Sequence, residues 1–229
     1  MTDQANQVPS TPTARMFMAL GGMAMLSGFL VVMAYQITKP AIELNQRMAV
    51  EKMVFKVIPG ATQRREFLAT KDGVRPADGG EGIPIHAGYD DQGKLLGIAA
   101  KGAAQGYADL VHLLYAYDPA CACIRGIEVV KMAETPGLGD KIITNADFQA
   151  NFKALDVQLN EAGDALAQEI VTVKHGSKQH PWEIDAISGA TITSKAVGKA
   201  LNQSAQALMP LLKPHRALIE QGVTGGKAQ

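Results

Sequence analysis

The spacing of apolar residues changes several times along this chain, and each change marks an element. Residues 16–37 carry no charged side chain. About 20 apolar residues suffice to cross the hydrocarbon core of a bilayer as a helix, so this run predicts one transmembrane anchor over 15–38. Arg15 and Lys39 bracket it, and Tyr35 sits near one end as an interfacial aromatic does. A secretory signal with Val32-Met33-Ala34 as cleavage triplet is a rival reading, but such a signal has a shorter apolar core and a more charged start. A buried core helix is the other rival, and it is seldom uncharged all round over this length. The preceding residues, 1–14, are polar and hold Pro9 and Pro12, which predicts a flexible tail. After the anchor, Ile42, Met48, Val54 and Val57 recur at helical spacing until Pro59-Gly60 stops the pattern. Residues 39–60 therefore read as a helical stalk.

From Arg64 the period shortens. Residues 64–70 alternate weakly, and 71–82, rich in Gly, Asp and Pro, reads as a loop. Residues 83–89 and 94–101 flank Asp90-Asp91-Gln92-Gly93 and predict a hairpin. Pro84 cannot donate to a ladder, so it belongs at the start or on an edge of its strand. Residues 110–118 and 123–132 predict a second hairpin around Pro119-Ala120. Residues 147–155 read as a short helix with Thr144 or Asn145 as cap, and 169–174 as a strand. Val197, Leu201, Ala205 and Leu208 recur at helical spacing until Pro210 ends or kinks the helix. The Gly-rich end, 222–229, reads as a second flexible tail. The fold class is α+β: one N-terminal transmembrane helix, then a domain of antiparallel strands and helices over 61–221.

Composition narrows the chemistry mainly by exclusion. The formal net charge is zero and no basic run is interleaved with aromatics, so no nucleic-acid partner is expected. His86, His112, His175, His180 and His215 show no metal-ligand spacing, and no metal site is expected. There is no Gly-x-Gly-x-x-Gly fingerprint and no Cys-x-x-Cys-His haem site. Cys121-Ala122-Cys123 offers half of a usual metal-ligand set, and a bridge across one residue is geometrically demanding. The pair reads as two free thiols at a hairpin end.

Two stretches carry candidate chemistry. In Asp185-Ala186-Ile187-Ser188-Gly189-Ala190-Thr191-Ile192-Thr193-Ser194-Lys195, small residues and hydroxyls directly precede a helical pattern. Ser and Thr accept from the orphan N–H groups of a helix start, Gly lets a ligand approach, and the positive end of the helix favours an anion such as phosphate. A plain helix cap is the alternative. In Glu134-Thr135-Pro136-Gly137-Leu138-Gly139-Asp140-Lys141, the glycines and proline make either an ordinary turn or a loop whose backbone approaches a flat ligand.

The first stretch, Asp-x-x-Ser-Gly-Ala-Thr-x-Thr-Ser, resembles the flavinylation signature of the FMN-binding domain family. That family includes the G subunit of the Rnf electron-transport complex and the C subunit of the sodium-pumping NADH:quinone reductase. Glu-Thr-Pro-Gly-Leu-Gly resembles its second recurrent motif. The resemblance implies that a flavin transferase recognises Asp185 and joins FMN through a phosphoester to Thr191. It implies that Ser188, Gly189 and Ala190 supply backbone near the phosphate, and that Thr193, Ser194 and Lys195 are candidate polar contacts. It implies that Thr135, Gly137, Leu138 and Gly139 border the ring, with Glu134 touching it or orienting the loop.

The resemblance further implies a single-pass protein of the bacterial inner membrane with its domain on the periplasmic side. The basic residues Lys39, Arg47 and Lys52, set against Arg15, weakly favour the reverse orientation. The implied partners are the bilayer, the transferase, and the other membrane and peripheral subunits of an Rnf-type ion-translocating ferredoxin:NAD oxidoreductase. In it this chain is an electron-transfer relay with no complete active site of its own. The alternatives are the C subunit of the sodium-translocating quinone reductase, a free-standing flavin reductase, and a non-redox, membrane-anchored binding or assembly protein.

Overall fold

The computed structural model describes residues 13–77 and 79–222. Most of the two expected tails lies outside them, and Thr13 and Ala14 already belong to the first helix. That helix, α1, spans Thr13–Val57 and runs through Pro40. The chain divides into two compact units after Met48. In the first, Thr13–Ile42 contains an 18-residue stretch with a mean hydropathy of 2.0, and all of its residues are exposed. Its 30 residues make a helix about 45 Å long at about 1.5 Å per residue, long and apolar enough to cross a membrane.

The second unit opens with the last turns of α1. Val50, Val54 and Val57 fall on one helical stripe, and with Ile58 they pack on Ala99, Leu114 and Ala116. The expected stalk is therefore no spacer over its whole length, because its C-terminal turns belong to a core. Among the described residues, seven strands form one antiparallel sheet in the order β2-β1-β3-β4-β5-β6-β7. They are β1 Gln63–Thr70, β2 Gly73–Pro76, β3 Ile83–Tyr89, β4 Leu95–Gln105, β5 Leu110–Asp118, β6 Cys123–Lys131 and β7 Leu155–Asp156. The two expected hairpins form. The expected loop over 71–82 contains β2, which folds back on β1 with Thr70 opposite Gly73. Gly73 and Pro76 are the ends of this short edge strand. Pro84 pairs only towards β1, since the β3–β4 ladder begins at Ile85.

β5 is nearly continuous in apolar residues because both faces of the sheet are covered. Val111, Leu113 and Tyr115 join the core that contains Val197, Leu201, Ala205 and Leu208 of α4 (Thr191–Leu212). Leu114 and Ala116 face the valines of α1. A strand buried on both sides has no reason to alternate. Helix α4 lies on β4 so closely that a Cβ on Gly102 would come within 2.8 Å of the Ala200 carbonyl oxygen. Ser204 Oγ donates to Lys101 O (2.8 Å) and lies 2.9 Å from the buried Tyr115 hydroxyl, which satisfies it. Asn202 and Gln206 accept from the N–H groups of Ile170 and Leu166, which ties the irregular segment 157–170 to the same helix. Pro210 lies inside α4 near its end, and the helix continues past it to Leu212.

The smaller elements are α2 (Lys141–Thr144), α3 (Ala146–Ala150), the parallel pair β8 (Val171–Val173) and β9 (Glu183–Asp185), and α5 (Arg216–Gln221). Asn145 caps α3 as expected, accepting from Phe148 N at 2.8 Å. Cys121 and Cys123 are joined in a disulfide with their Cα atoms 5.2 Å apart, which corrects the expectation of two free thiols. The separation lies in the usual range for a bridge. The chain reaches it by folding back at Ala122, whose φ of +50° is otherwise seen only at glycines among the described residues.

Between β3 and the end of α1 sits a buried histidine. Arg64 Nη1 donates to His86 Nδ1 (3.2 Å) while its Nη2 donates to Glu51 Oε1 (2.5 Å). A guanidinium only donates, so Nδ1 accepts and the imidazole proton is on Nε2, which has no partner among the described residues. Burial, and then the positive charges of Arg64 and Lys101, lower the His86 pKa to about 4 against the opposing pull of Glu51. The unfolded chain binds that proton at its ordinary value near 6.5. As pH falls from about 6.5 to about 4, the unfolded state takes up a proton that the folded state refuses, so folding weakens by up to about 3 kcal/mol. Urea unfolding at a series of pH values should show this loss, and His86→Leu should flatten the profile in that window.

Candidate functional site

The loop that follows β6 is a tight turn with one side chain directed inwards. Leu138 N and Gly139 N both donate to Thr135 O, at 3.2 and 3.0 Å. Pro136 in second place and Gly137 in third, at φ +77°, are the residues a type II turn requires. Thr135, Gly137 and Leu138 are exposed, and the space above Gly137 is open to 4 Å. Glu134 is buried. Its Oε2 accepts from Thr193 Oγ1 (2.5 Å) and its Oε1 from Ala108 N (3.1 Å). A Cβ on Gly106 would collide with Glu134 Oε1, and one on Gly139 with Glu134 Cβ. The carboxylate therefore lies in a slot that only glycines leave open. It joins three segments: the entry to β5, the 134–139 loop and the first turn of α4. Of the two roles considered for Glu134, orienting the loop is the one this geometry supports.

Around this clamp the neighbouring side chains turn outwards. Tyr107, Leu138 and Ile192 each adjoin a residue that touches Glu134, and all three are exposed. They offer apolar contact to a flat ring.

Helix α4 begins at the exposed Thr191, and its N-cap is Ala190, with no side-chain cap. The hydroxyl cap expected from the sequence does not form. The fully buried Ser194 uses its hydroxyl to accept from Ile187 N (3.1 Å) and to donate to Ala190 O (2.9 Å), which holds the 187–190 turn. The Thr193 hydroxyl is engaged by Glu134. Both were expected as polar contacts to a ligand, and both hydroxyls are used inside the fold instead. Ser188, Gly189, Thr191 and Lys195 remain exposed, and Gly189 has the left-handed φ of +83° with open space beside it.

Asp185 ends β9 and is held on several sides. Its Oδ1 accepts from Gly176 N (2.7 Å), and its Oδ2 lies 3.3 Å from His175 Nδ1, which also donates to Ala186 O (3.1 Å). The Asn151 amide bridges the Asp185 backbone: Oδ1 accepts from Asp185 N (3.0 Å) and Nδ2 donates to Asp185 O (3.2 Å). Lys178 donates to the same Asn151 Oδ1 (3.1 Å), and burial lowers its pKa against the raising pull of Asp185 and Glu183. A cavity of about 270 Å³ opens here, lined among others by Lys141, Asn145, His175, Asp185 and Ser188. Asp140 Oδ1, in the glycine loop, is buried without a partner among the described residues. The sequence carried no signal for Asn151, His175 or Asp140 beyond their being polar.

The arrangement suits a phosphate-bearing flat ligand. It has an uncapped helix start with an exposed hydroxyl, the lysines Lys141 and Lys195, an apolar rim, and in Asp140 an acceptor without a donor. Residues 106–206 match the family described as the FMN-binding domain, a span that opens at Gly106 and contains Glu134, Thr191 and Thr193.

Similarity to known proteins extends beyond that span. The G subunit of an ion-translocating oxidoreductase complex from Methanosarcina acetivorans is 29% identical over 175 residues, covering 76% of this chain and 83% of the relative. The G subunit of a Na(+)-translocating ferredoxin:NAD(+) oxidoreductase complex from Acetobacterium woodii is 37% identical over 151 residues, 65% of each chain. In fold, this chain is similar to the crystal structure of the C subunit of the Na(+)-translocating NADH-quinone reductase from Parabacteroides distasonis. The TM-score is 0.53 at 22% identity, over 67% of this chain and 78% of that one.

The domain should be sensitive to its clamp. Glu134→Ala leaves the Thr193 hydroxyl and Ala108 N–H without their acceptor and should cost about 1–3 kcal/mol. Gly139→Ala drives a Cβ into Glu134 and should cost a similar amount, about 1–3 kcal/mol. Alanine at 134 keeps the Cβ that the new methyl group meets first, so most of the second loss should persist in the double variant and the two losses should roughly add. Urea unfolding midpoints of the three proteins check this.

Proposed function

We propose that this chain is the electron-transfer flavoprotein subunit of an Rnf-type, ion-translocating ferredoxin:NAD oxidoreductase complex, with FMN attached through a phosphoester to Thr191. The observation that carries this reading is the Glu134 clamp. It brings the Thr-Pro-Gly turn beside the first turn of α4, so that Thr193 points inwards and Thr191 outwards. The names of the two relatives support the choice of complex.

FMN, when attached, supplies a centre that accepts electrons singly or in pairs. The chain supplies the rest. Thr191 tethers the phosphate at the positive end of a 22-residue helix, where about half a unit of positive charge is available. Ser188, Gly189 and Ala190 bring backbone to it, and Lys141 and Lys195 add cationic charge. Tyr107, Leu138 and Ile192 offer apolar surface to the ring, Asp140 Oδ1 accepts from a polar group of the ligand, and Glu134 keeps the two halves in register. A tether at the phosphate end leaves the ring electronics to these contacts. Asp185, pinned by Gly176 and Asn151, presents the 185–191 segment in one shape to a flavin transferase.

In this reading the apolar part of α1 anchors the chain in the bacterial inner membrane, and the domain works on the outer side with the other subunits. The flavin domain includes the last turns of α1, because Val50, Val54, Val57 and Ile58 are in its core. Co-expression of the Thr191→Val variant with a flavin transferase tests the attachment. The parent protein should keep flavin fluorescence through denaturing electrophoresis and the variant should show none. A fluorescent band from the variant would sink the assignment.

A further inference from the structure

The Cys121–Cys123 bridge closes a ring across one residue, so the unfolded-chain freedom it removes is small. The turn that carries it is held by other means. Asp118 Oδ1 accepts from Ala120 N (2.8 Å), Arg216 donates to Pro119 O (2.9 Å) and Val157 N donates to Ala122 O (3.1 Å). Cys123 is paired with Asp118 on one side and with Asp156 on the other. A structural staple is not needed here, yet the bridge holds Ala122 at φ +50°, a conformation that disfavours a side chain. The two cysteines also differ in access: Cys121 is exposed and Cys123 is 4% exposed.

Beside the bridge lies a groove of about 480 Å³. Asp118 and Ala120 line it, and Cys121 Sγ is 3.6 Å from the Asp118 carbonyl oxygen. Its floor is apolar, with Val57, Ile58 and Leu96, while Lys94, Arg125 and Lys153 give it positive charge. The carboxylate of Asp118 in the lining is paired with Arg125 at 3.0 Å, which leaves the two lysines in excess. The glycine loop follows the far end of β6, about 30 Å away along a nine-residue strand.

We propose that Cys121–Cys123 is a thiol–disulfide exchange site that takes two electrons from an anionic thiol bound in this groove. The thiolate attacks the exposed Cys121 sulfur, a mixed disulfide forms there, and Cys123 leaves as a thiolate and takes up a proton. A second thiolate attacks the reductant sulfur of the mixed disulfide. The reductant departs as its own disulfide, and Cys121 is released and protonated. Two thiols are oxidised, two cysteines are reduced, and Ala122 is free to leave the left-handed region.

The test uses the full-length chain in detergent, with mercaptoethanesulfonate as the anionic thiol and cysteamine as the cationic one, at equal thiolate concentration and low salt. Reduction is read by alkylation and intact mass, alongside unfolding by circular dichroism. The folded protein should be reduced about tenfold faster by the anion, with the first adduct on Cys121. High salt, or the pair Lys94→Glu and Lys153→Glu, should remove that preference. Ala122→Gly, which tolerates the left-handed conformation, should shift the equilibrium about fivefold towards the disulfide. The Cys121→Ser/Cys123→Ser protein should keep its melting temperature within about 2 °C, as expected if the bridge contributes little. Reduction only on unfolding, equal rates for the two thiols, or no shift in Ala122→Gly would each overturn the proposal.

Discussion

A buried carboxylate must be hydrogen-bonded or it will not stay buried, and Glu134 sets this condition on the rest of the domain. Its two donors come from far along the chain, 26 residues before it and 59 after it. It also requires that positions 106 and 139 have no side chain. Meeting those demands fixes the first turn of α4 against the glycine loop. On a helix, residues two apart point to different sides. With Thr193 directed at Glu134, Thr191 is left on the open face. The exposure of the proposed tether is thus a consequence of the burial of its neighbour.

The sheet supports this arrangement by being covered on both sides. α4 lies on one face and the last turns of α1 on the other, so β5 is almost uniformly apolar. Close approach is again secured by removing side chains, with Gly102 under Ala200 and Gly198 against Thr172. The α1 side pays with a buried imidazole, which burial and Arg64 hold neutral against the pull of Glu51 and which is only half-bonded. That face is held partly by polar contacts and the α4 face mainly by apolar packing.

Features that depend on near neighbours were legible in the sequence. The apolar run of α1, the two hairpins, the Asn145 cap, the Thr-Pro-Gly-Leu turn and the stripe of α4 all come from residues a few positions apart. β2 was hidden because four residues between turn formers carry too little pattern to outweigh their flanks. The Thr193 hydroxyl was read as a cap or as a ligand contact because spacing does not reveal an acceptor such as Glu134, 59 residues away, and Ser194 was read the same way because its burial, which turns it to Ala190 and Ile187, is set by tertiary packing. The Asn151 bridge to Asp185 spans 34 residues and was invisible for the same reason. The Cys121–Cys123 bridge was missed although it is local, because it depends on a backbone angle that alanine seldom adopts.

The order of the strands has a consequence in time. From β3 to β7 each strand pairs with the next in sequence, and the pairings from β3 to β6 join close neighbours across short turns. α4 instead reaches back across some hundred residues to lie on β4 and β5, as the Ser204 bond to Lys101 records at a separation of 103. Contacts of that range carry a larger loop-closure cost than the hairpin pairings. The carboxylate slot has no Thr193 in it until that docking is complete. A chain that displays position 191 on a rigid helix start is therefore one whose sheet has already closed.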